Sequence, residues 1–349
     1  MRGKAMKRAI CLLLAVCLCL SLCGCGTSPK APTADAENTV TDGSGAVLSV
    51  PENSSETTIA SVYAVAVPFI VALGLSDRVR AINVKSAFWT ENDKALAAAG
   101  TVGRGVVDLE ALAKIHPDVL IHRSNDPKTV EAVENLGINV LCIKAENLDD
   151  IKYTLTMMGK YFGVSDRAAA VCGWMVEKFS YIDSIVAKIP ENERVTALVM
   201  GGELGRVAGG DMLQSWMLEK AGGVCVADGV GKDHNWFDAG VETIFKWNPD
   251  FLFCTGSTAL EYSTESIGND PAWCSLNAVK NSRVYRIPAK TDAWDMPGIS
   301  CVIGTMYMLR KMYPDYFSAS ELQTQIDDYY SFMFGKSFDA AYLGYDPES

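Results

Sequence analysis

The amino-acid sequence predicts an α/β protein of two Rossmann-like lobes with parallel sheets, joined by one long helix. A 12-residue pattern at residues 110–121 recurs at 242–253, with Glu first, Lys four residues on, then Pro-Asp and an apolar run. Pro-Asp ends the amphipathic segment, and the apolar run is typical of a buried parallel strand. The longest helical pattern of the chain, residues 166–189, lies between the two copies. These observations indicate two similar halves on either side of one helix.

In the first lobe, predicted strands and helices alternate, which is the arrangement that gives parallel sheets. Gly74 and Gly137 mark the ends of two helices, and Asn147 is a candidate N-cap of a third. The predicted strands are 57–61, 79–83, 119–121 and 138–143, and the predicted helices are 64–75, 109–115, 128–136 and 147–162.

The second lobe follows the long helix, for which Ser165 is the expected N-cap and Pro190 the stop. Its predicted strands are 195–200, 251–254 and 283–287, and its helices are 212–221, 241–247, 300–312 and 321–334. The expected organisation is a signal peptide at 1–24, a tether at 25–45, lobes at 46–164 and 191–349, and the linking helix at 165–190. A stiff helix between the lobes indicates a cleft with limited hinge motion.

The N-terminus has the pattern of a bacterial export signal. Basic residues precede an apolar stretch, residues 9–22, which is too short to cross a bilayer stably. Leu22-Cys23-Gly24-Cys25 resembles the lipobox of secreted lipoproteins, in which the Cys after a small residue is acylated and becomes the mature N-terminus. Cys25 is the better acceptor, because the bulky Leu22 precedes Cys23. We therefore expect an extracytoplasmic protein, lipid-anchored to the outer face of the bacterial cytoplasmic membrane through a polar tether.

The charge balance limits the partners. The chain has 31 Lys and Arg against 42 Asp and Glu, and loss of residues 1–24 removes four basic residues and leaves a net charge of −15. Such a balance argues against nucleic acid or anionic lipid headgroups and suits docking onto a basic protein surface. The six cysteines beyond residue 25 lack Cys-x-x-Cys spacing, so we expect buried reduced thiols, with one disulfide as the alternative.

Residues 46–320 resemble the substrate-binding lipoproteins of bacterial ABC importers for iron-siderophores, haem and cobalamin, of the class III periplasmic-binding-protein type. The repeats with the helix between them carry the resemblance most specifically. The lipobox, the strand-loop-helix near Tyr63 and Asp270-Pro271-Ala272-Trp273 add to it. The resemblance implies a binding protein, not an enzyme, that has no cofactor and delivers a metal chelate to an ABC permease with its ATPase. We expect a monomer.

The same resemblance implies that Glu110 and Glu242, the first residues of the two repeats, dock on Arg residues of the permease. Two carboxylates on matching lobes would fix the orientation of the complex and speed encounter more than they add affinity. The structural alternative is that each Glu pairs with the Lys four residues on, Lys114 or Lys246.

Ligands of open α/β sheets bind beyond the carboxyl ends of the strands, so the loops after the strands hold the candidate ligand residues. Their aromatic and cationic side chains suit a large planar or anionic chelate, although each could instead pack at the rim. The candidates are Tyr63, Lys85, Trp89, Arg123, Arg206, His234, Trp236, Tyr262 and Trp294. His122 and His234 could ligate iron or cobalt from opposite lobes. Three histidines in all argue against a bare divalent-metal site, and the sequence specifies no metal.

Two other functions remain open. An oxyanion binder for molybdate or tungstate would use Ser, Thr and backbone amide donors with Arg123 or Arg206. A chelatase-like enzyme also uses paired lobes, but the chain has no Gly-x-Ser-x-Gly and no complete Walker-type Gly-x-x-x-x-Gly-Lys-Ser/Thr phosphate loop. Before the helix at 300–312, Asp295 is a candidate N-cap and Trp294 a candidate cleft residue.

Overall fold

The first half of the chain builds a parallel four-stranded sheet. The computed structural model describes residues 38–83, 87–231, 235–291 and 293–346. Its first strands are β1 (Thr39–Thr41), β2 (Val47–Ser49), β3 (Ile59–Ser61), β4 (Val79–Ile82), β5 (Val119–Arg123) and β6 (Asn139–Ile143). β1 pairs with β2, and the other four form a sheet of order β4-β3-β5-β6 with parallel neighbours. The interleaved helices are α1 (Ala66–Ala72), α2 (Ala87–Asn92), α3 (Lys94–Ala98), α4 (Leu109–Ile115), α5 (Pro127–Glu134) and α6 (Leu148–Tyr161).

The second half builds another sheet around a parallel core. After helix α7 (Ser165–Val186) come β7 (Thr196–Met200), β8 (Arg206–Ala208), β9 (Val224–Cys225), β10 (Trp236–Asp238), β11 (Phe251–Cys254) and β12 (Val284–Arg286). The sheet order is β10-β8-β7-β11-β12, with β9 also paired to β7. β7, β11 and β12 are parallel neighbours, whereas β8 and β10 are antiparallel additions that the sequence did not predict. The predicted α/β class with parallel sheets is confirmed.

The remaining helices lie within and after this second sheet. They are α8 (Leu213–Lys220), α9 (Val241–Trp247), α10 (Thr264–Asn269), α11 (Asn277–Lys280), α12 (Cys301–Met312), α13 (Ala319–Phe334) and α14 (Ala340–Leu343). In the described part of the chain, no helix is both long and apolar enough to cross a membrane.

The sequence repeat is also a repeat in three dimensions. α4 ends at His116 (φ 47°) and α9 at Asn248 (φ 44°), both in the left-handed conformation, one residue before Pro-Asp. The Asp118 carboxylate accepts hydrogen bonds from the backbone N–H and the hydroxyl of Thr58, at 2.7 and 2.6 Å. Asp250 accepts the same two bonds from Thr196, at 3.2 and 2.8 Å. In each half, the Asp of Pro-Asp therefore ties the strand it precedes to the start of the neighbouring strand.

The long helix α7 lies between the two halves in sequence, and one face of this helix is buried. Its buried residues recur at helical spacing and include Ala168, Val171, Met175, Phe179 and Ile182. Ser165 is the first helical residue, and Val164 precedes it without a side-chain cap, so the predicted Ser165 cap is wrong.

The predicted tether needs correction at its end. Residues 39–41 form β1, and the carboxylate of Asp42, which is buried, accepts the backbone N–H of Cys142 at 2.9 Å. The compact unit begins at Val40, and the buried Asp42 carboxylate is one of the contacts that attach this segment to β6. The signal peptide and Cys25 lie outside the described residues.

The six cysteines of the described part are unpaired. Cys142, Cys225, Cys254 and Cys301 are buried, and burial is the main reason why the pKa of each of these thiols is raised. They act as small core side chains.

Candidate functional site

A cleft lies at the carboxyl ends of the strands of both sheets. It consists of three adjoining cavities of about 700, 180 and 260 Å³. The loop after β11 joins them, because Ser257 lines the large and the small cavity while Thr258 and Ala259 line the large and the third. This is the position that open α/β sheets favour for ligands.

The large cavity is bordered by both halves of the chain. Phe88 and Trp89 of α2 and Met296 and Tyr342 from the second half supply apolar surface. Trp89 is buried and packs against Phe334, with 5.6 Å between ring centroids. The structure therefore places the predicted Trp89 in this wall, mostly as a packed side chain.

Two arginines bring positive charge to the large cavity. Arg104 comes from the loop before α4 and Arg286 from the carboxyl end of β12, and both are exposed. Within the described part of the chain, neither has a carboxylate oxygen within 4.0 Å. Glu91 is a carboxylate in the same lining. The cavity is thus bordered by more positive than negative charge in a chain whose net charge is −11.

A tight turn presents Arg104. Gly103 has φ 118°, and a Cβ at this position would lie 2.0 Å from the carbonyl oxygen of Val106. Gly105 follows at φ 77°. The turn therefore requires Gly103, because L side chains rarely adopt this conformation and no space remains for one.

The small cavity is more polar. Tyr63, Arg123 and Ser257 line it together with Gln214 and Trp236. Burial raises the pKa of Tyr63, so its hydroxyl stays a neutral donor. The Arg123 guanidinium is 3.0 Å from Asp126, so part of its charge is already neutralised. Gln214 donates to the Asp295 carbonyl at 2.9 Å, and its buried side-chain oxygen has no hydrogen-bond partner among the described residues.

The third cavity holds Arg206 and Trp236, both predicted from sequence. Arg206 is 3.1 Å from Glu203, which also lines this cavity, so the guanidinium is paired locally. Trp236 borders both the small and the third cavity and lies in β10, where the sequence predicted a loop.

A buried carboxylate holds the loop that joins the cavities. Asp295 is fully buried and accepts hydrogen bonds from the Thr255 hydroxyl at 2.5 Å and the Gly256 backbone N–H at 3.0 Å. The pKa of Asp295 is raised to about 6, because burial raises it by more than these hydrogen bonds lower it. Asp295 does not cap α12, whose N-cap is Ser300, so the predicted cap is wrong.

Two predicted ligand residues are not in the cleft. Trp294 has no exposed surface, and its indole N–H donates to the Tyr330 hydroxyl at 3.1 Å, so its prediction as a cleft residue is wrong. The Tyr262 hydroxyl donates to the Gly201 carbonyl at 2.6 Å, and Tyr262 lines none of the three cavities. Both aromatic side chains brace loops because their polar groups find partners inside the protein.

The histidine hypothesis receives no support from the described residues. His122 is buried, with Nε2 3.1 Å from the Asp126 carboxylate, and it lines none of the cavities. Desolvation lowers the pKa of His122, which keeps the ring neutral. His234 and Lys85 lie outside the described residues. No cluster of three or more His, Cys, Asp or Glu that could hold a metal ion occurs in the described part.

Sequence reasoning missed several lining residues. Arg286 is the last residue of a strand, and extending the rule of carboxyl ends to that residue would have found it. Arg104 carries a weaker signal, an Arg between two glycines just before the first repeat. Asn83 follows β4 and would have been found by the same rule, whereas Gln214, a buried amide in α8, carries no signal in the sequence.

The two predicted docking residues occupy matching positions. Glu110 lies in the first turn of α4 and Glu242 in the first turn of α9, and both are exposed. Neither forms an ion pair with the Lys four residues on in the described structure. Leu109 and Val241 precede them and are 39% and 37% exposed.

Comparison with known proteins gives a consistent assignment of the fold. A family model described as "Periplasmic binding protein" matches residues 59–291. The molybdate-binding protein MolA of Haemophilus influenzae is 20% identical over 255 residues, which are 66% of this chain and 71% of MolA.

Solved structures share the fold over most of the chain. Molybdate-bound MolA from Haemophilus influenzae has a TM-score of 0.74 at 17% identity, covering 86% of this chain and 99% of MolA. A periplasmic solute-binding protein from Veillonella parvula has a TM-score of 0.72 at 22% identity, with 87% and 95% covered. Helicobacter pylori CeuE with Ni(II) bound has a TM-score of 0.70 at 21% identity, with 87% and 98% covered.

Proposed function

This chain belongs to the periplasmic binding protein family, and on that premise we propose that it captures an anionic metal chelate in the large cavity and delivers it to an ABC permease. Solute binding as a component of an ABC transporter follows from the family. The proposed solutes are an iron-siderophore, haem or a corrinoid. The relatives named above are binding proteins, so we propose that the solute is bound and released without chemical change.

Two arginines that have no ion pair within the described part of the chain carry the proposal. Arg104 and Arg286 border the same cavity from different halves of the chain. Because Arg offers several donors in a fixed plane, two such groups suit the carboxylate or catecholate oxygens of a chelate. Aromatic and apolar side chains in the wall would cover the organic part of the ligand.

The cavity volume agrees with a ligand of this size. At about 700 Å³, the large cavity lies in the range of roughly 300–1,000 Å³ that holds drug-sized molecules. A single tetrahedral oxyanion would leave most of this space filled by water.

An oxyanion is the second candidate, and the small cavity favours it. Tyr63, Arg123 and Ser257 provide donors around about 180 Å³. α8 begins beside this cavity at Leu213 without a side-chain cap, so its first backbone N–H groups have no capping partner. Molybdate or tungstate would fit this set, and MolA is named for molybdate.

The two candidates predict different responses to mutation. We would express the chain from residue 26 and titrate it with haemin, cobalamin, ferric siderophores, molybdate and tungstate, following visible absorption and melting temperature. Arg104→Ala or Arg286→Ala should weaken a chelate about 10- to 100-fold, because a hydrogen bond to a charged group contributes ~1.5–3 kcal/mol. Arg80→Ala, an exposed arginine outside the cavities, is the matched control. Loss of binding in Arg123→Ala alone, with molybdate as ligand, would favour the oxyanion.

We also propose that Glu110 and Glu242 dock on basic residues of the permease. Their support is the matching position in the first turns of α4 and α9, their exposure and the absence of an ion pair with Lys114 or Lys246 in the described structure. Such exposed charges should mainly affect the association rate and its dependence on salt.

The docking proposal has a direct test in ligand uptake. Glu110→Ala with Glu242→Ala should abolish uptake by cells and leave ligand affinity unchanged. Glu131→Ala with Glu177→Ala removes two other exposed carboxylates and serves as the control. Normal uptake by the first double variant would contradict docking through these residues.

Anchoring is a further part of the proposed function. We propose that Cys25 carries the lipid and that the protein works as a monomer on the outer face of the membrane. Cys25→Ser should release the protein from the membrane fraction, and light scattering of the protein expressed from residue 26 should give the mass of one chain. Retention of Cys25→Ser in the membrane would exclude this anchor.

A further inference from the structure

The last described part of the chain is folded against the cleft. Residues 336–346 lie beyond the family match at 59–291 and follow α13, which ends at Gly335 (φ 68°). They include α14, capped by Asp339, whose carboxylate accepts the backbone N–H of Tyr342 at 2.7 Å. A capped turn of helix at this point gives Tyr342 a fixed place.

The segment contacts the first half of the chain through α2. Lys336 donates to the side-chain oxygen of Asn92 at 2.7 Å, and the Asn92 amide donates to the Tyr342 hydroxyl at 3.0 Å. The Phe338 ring packs against Phe88, with 5.5 Å between centroids, and stacks on Tyr342 at 5.3 Å and 12°. Two hydrogen bonds and an aromatic contact therefore hold α2.

The same segment contacts the second half of the chain. Lys290, in the loop after β12, donates to the Ala341 carbonyl at 2.8 Å. The Tyr345 ring lies 5.2 Å from the ring of Trp294, and its hydroxyl is hydrogen-bonded to Gln323 of α13. Residues 336–345 thus connect α2 with the loops of the second sheet.

Tyr342 also borders the large cavity, where it shares the lining with Thr90, Glu91 and Lys290. We propose that residues 336–345 bridge the two lobes and that Tyr342 is a wall of the ligand site that helps to determine which ligands fit. The bridge stands on the contacts above. The ligand role rests on the proposed function and assigns Tyr342 to the apolar part of an anionic chelate.

Tyr342 is held in place through its hydroxyl. The hydroxyl accepts a hydrogen bond from Asn92 and donates to the Glu91 carboxylate at 3.4 Å, so the ring is fixed and remains a rigid aromatic surface at the cavity. A rigid ring loses little conformational entropy when a ligand packs on it, and covering its aromatic surface with the ligand is favourable. Removal of the ring should therefore weaken ligands that reach this end of the cavity.

Hydrogen exchange tests the bridge without any ligand. Tyr342→Phe removes the bonds to Asn92 and Glu91 and keeps the ring, so amides of α2 should exchange about tenfold faster than in the unchanged protein. Tyr153→Phe is the matched control, because its hydroxyl donates to the Thr41 carbonyl at 2.6 Å outside the cavities. Unchanged exchange in α2, both in Tyr342→Phe and in a chain ending at Gly335, would overturn the bridge.

Ligand binding tests the wall, with haemin and molybdate as probes. Tyr342→Ala should weaken haemin on the order of tenfold, Tyr342→Phe should weaken it less because the ring remains, and molybdate should be unaffected. An unchanged haemin Kd in Tyr342→Ala would contradict the assignment of Tyr342 to the ligand site, and so would binding of molybdate alone. If haemin, cobalamin and ferric siderophores all fail to bind the unchanged protein, the proposed ligand class is wrong, while the exchange of α2 still decides the bridge.

Discussion

Replacing the buried carboxylate Asp295 by an amide should make the protein more stable at neutral pH. Asp295 has no exposed surface and accepts hydrogen bonds from Thr255 and Gly256. In Asp295→Asn, the amide oxygen can still accept the Gly256 N–H. The Thr255 hydroxyl can turn to accept from the amide nitrogen and donate to Ser257, whose hydroxyl is 2.8 Å away. The amide therefore replaces a buried charge and keeps an acceptor for Gly256 and a donor to Thr255.

The magnitude follows from the pKa of Asp295. Burial raises it from 3.8 to about 6, so the folded protein holds the proton more tightly than the unfolded chain does. The stability that this group contributes is fully present below about pH 4 and is lost as the pH rises to about 6 and beyond. The loss amounts to about 3 kcal/mol, since each pKa unit corresponds to ~1.4 kcal/mol. Asp295→Asn has no proton to lose and should escape this loss.

The assay is urea unfolding of both proteins between pH 3.5 and 7.5. The free energy of unfolding of Asp295→Asn minus that of the unchanged protein should rise with pH across the window from about 4 to 6, by on the order of 3 kcal/mol. Asp315→Asn, which removes an exposed carboxylate, is the control for net charge and should give a nearly flat difference. A flat difference for Asp295→Asn, or one that falls with pH, would show that the folded protein does not hold the Asp295 proton more tightly than the unfolded chain.

Two further predictions concern the repeat and the packing of α12. Asp250→Ala removes the acceptor of both Thr196 bonds and should lower the free energy of unfolding in urea by ~2 kcal/mol. Asp250→Asn should lose less stability because an acceptor oxygen remains. Equal stability of all three proteins would argue against a structural role for Asp250. In Gly304→Ala, the new Cβ would lie 2.1 Å from the backbone oxygen of Trp294, so we expect the free energy of unfolding to fall by roughly 1–3 kcal/mol and the melting temperature to fall with it. An unchanged melting temperature would show that α12 can shift freely.

Much of the fold could be predicted from the sequence because the patterns that indicate it are local. The Pro-Asp repeats, the alternation of apolar runs with amphipathic segments and the long helical pattern depend on residues close in sequence. They led to β5, β11 and α7 nearly as observed. β8 and β10 were missed because strands of three residues show too little alternation to be recognised.

The candidate site was readable in part. The rule that ligands bind beyond the carboxyl ends of strands selected Tyr63, Arg123 and Trp236, and these residues line the small cavity. The same rule included Trp294, which is buried, because it locates a loop and cannot tell which side chains of that loop face the cavity.

The sequence by itself determined the α/β class, the two-fold repeat, the acidic charge and the loops in which a ligand site would lie. Tertiary structure decided which side chains form that site. Tyr342 reaches the cleft through a hydrogen bond to Asn92, 250 residues earlier in the chain. Arg104 and Arg286 border the same cavity, and they do so because the two halves of the chain are folded together. Local periodicity reports which face of an element is buried, whereas the environment of a loop side chain depends on contacts with distant residues, and these exist only in the folded chain.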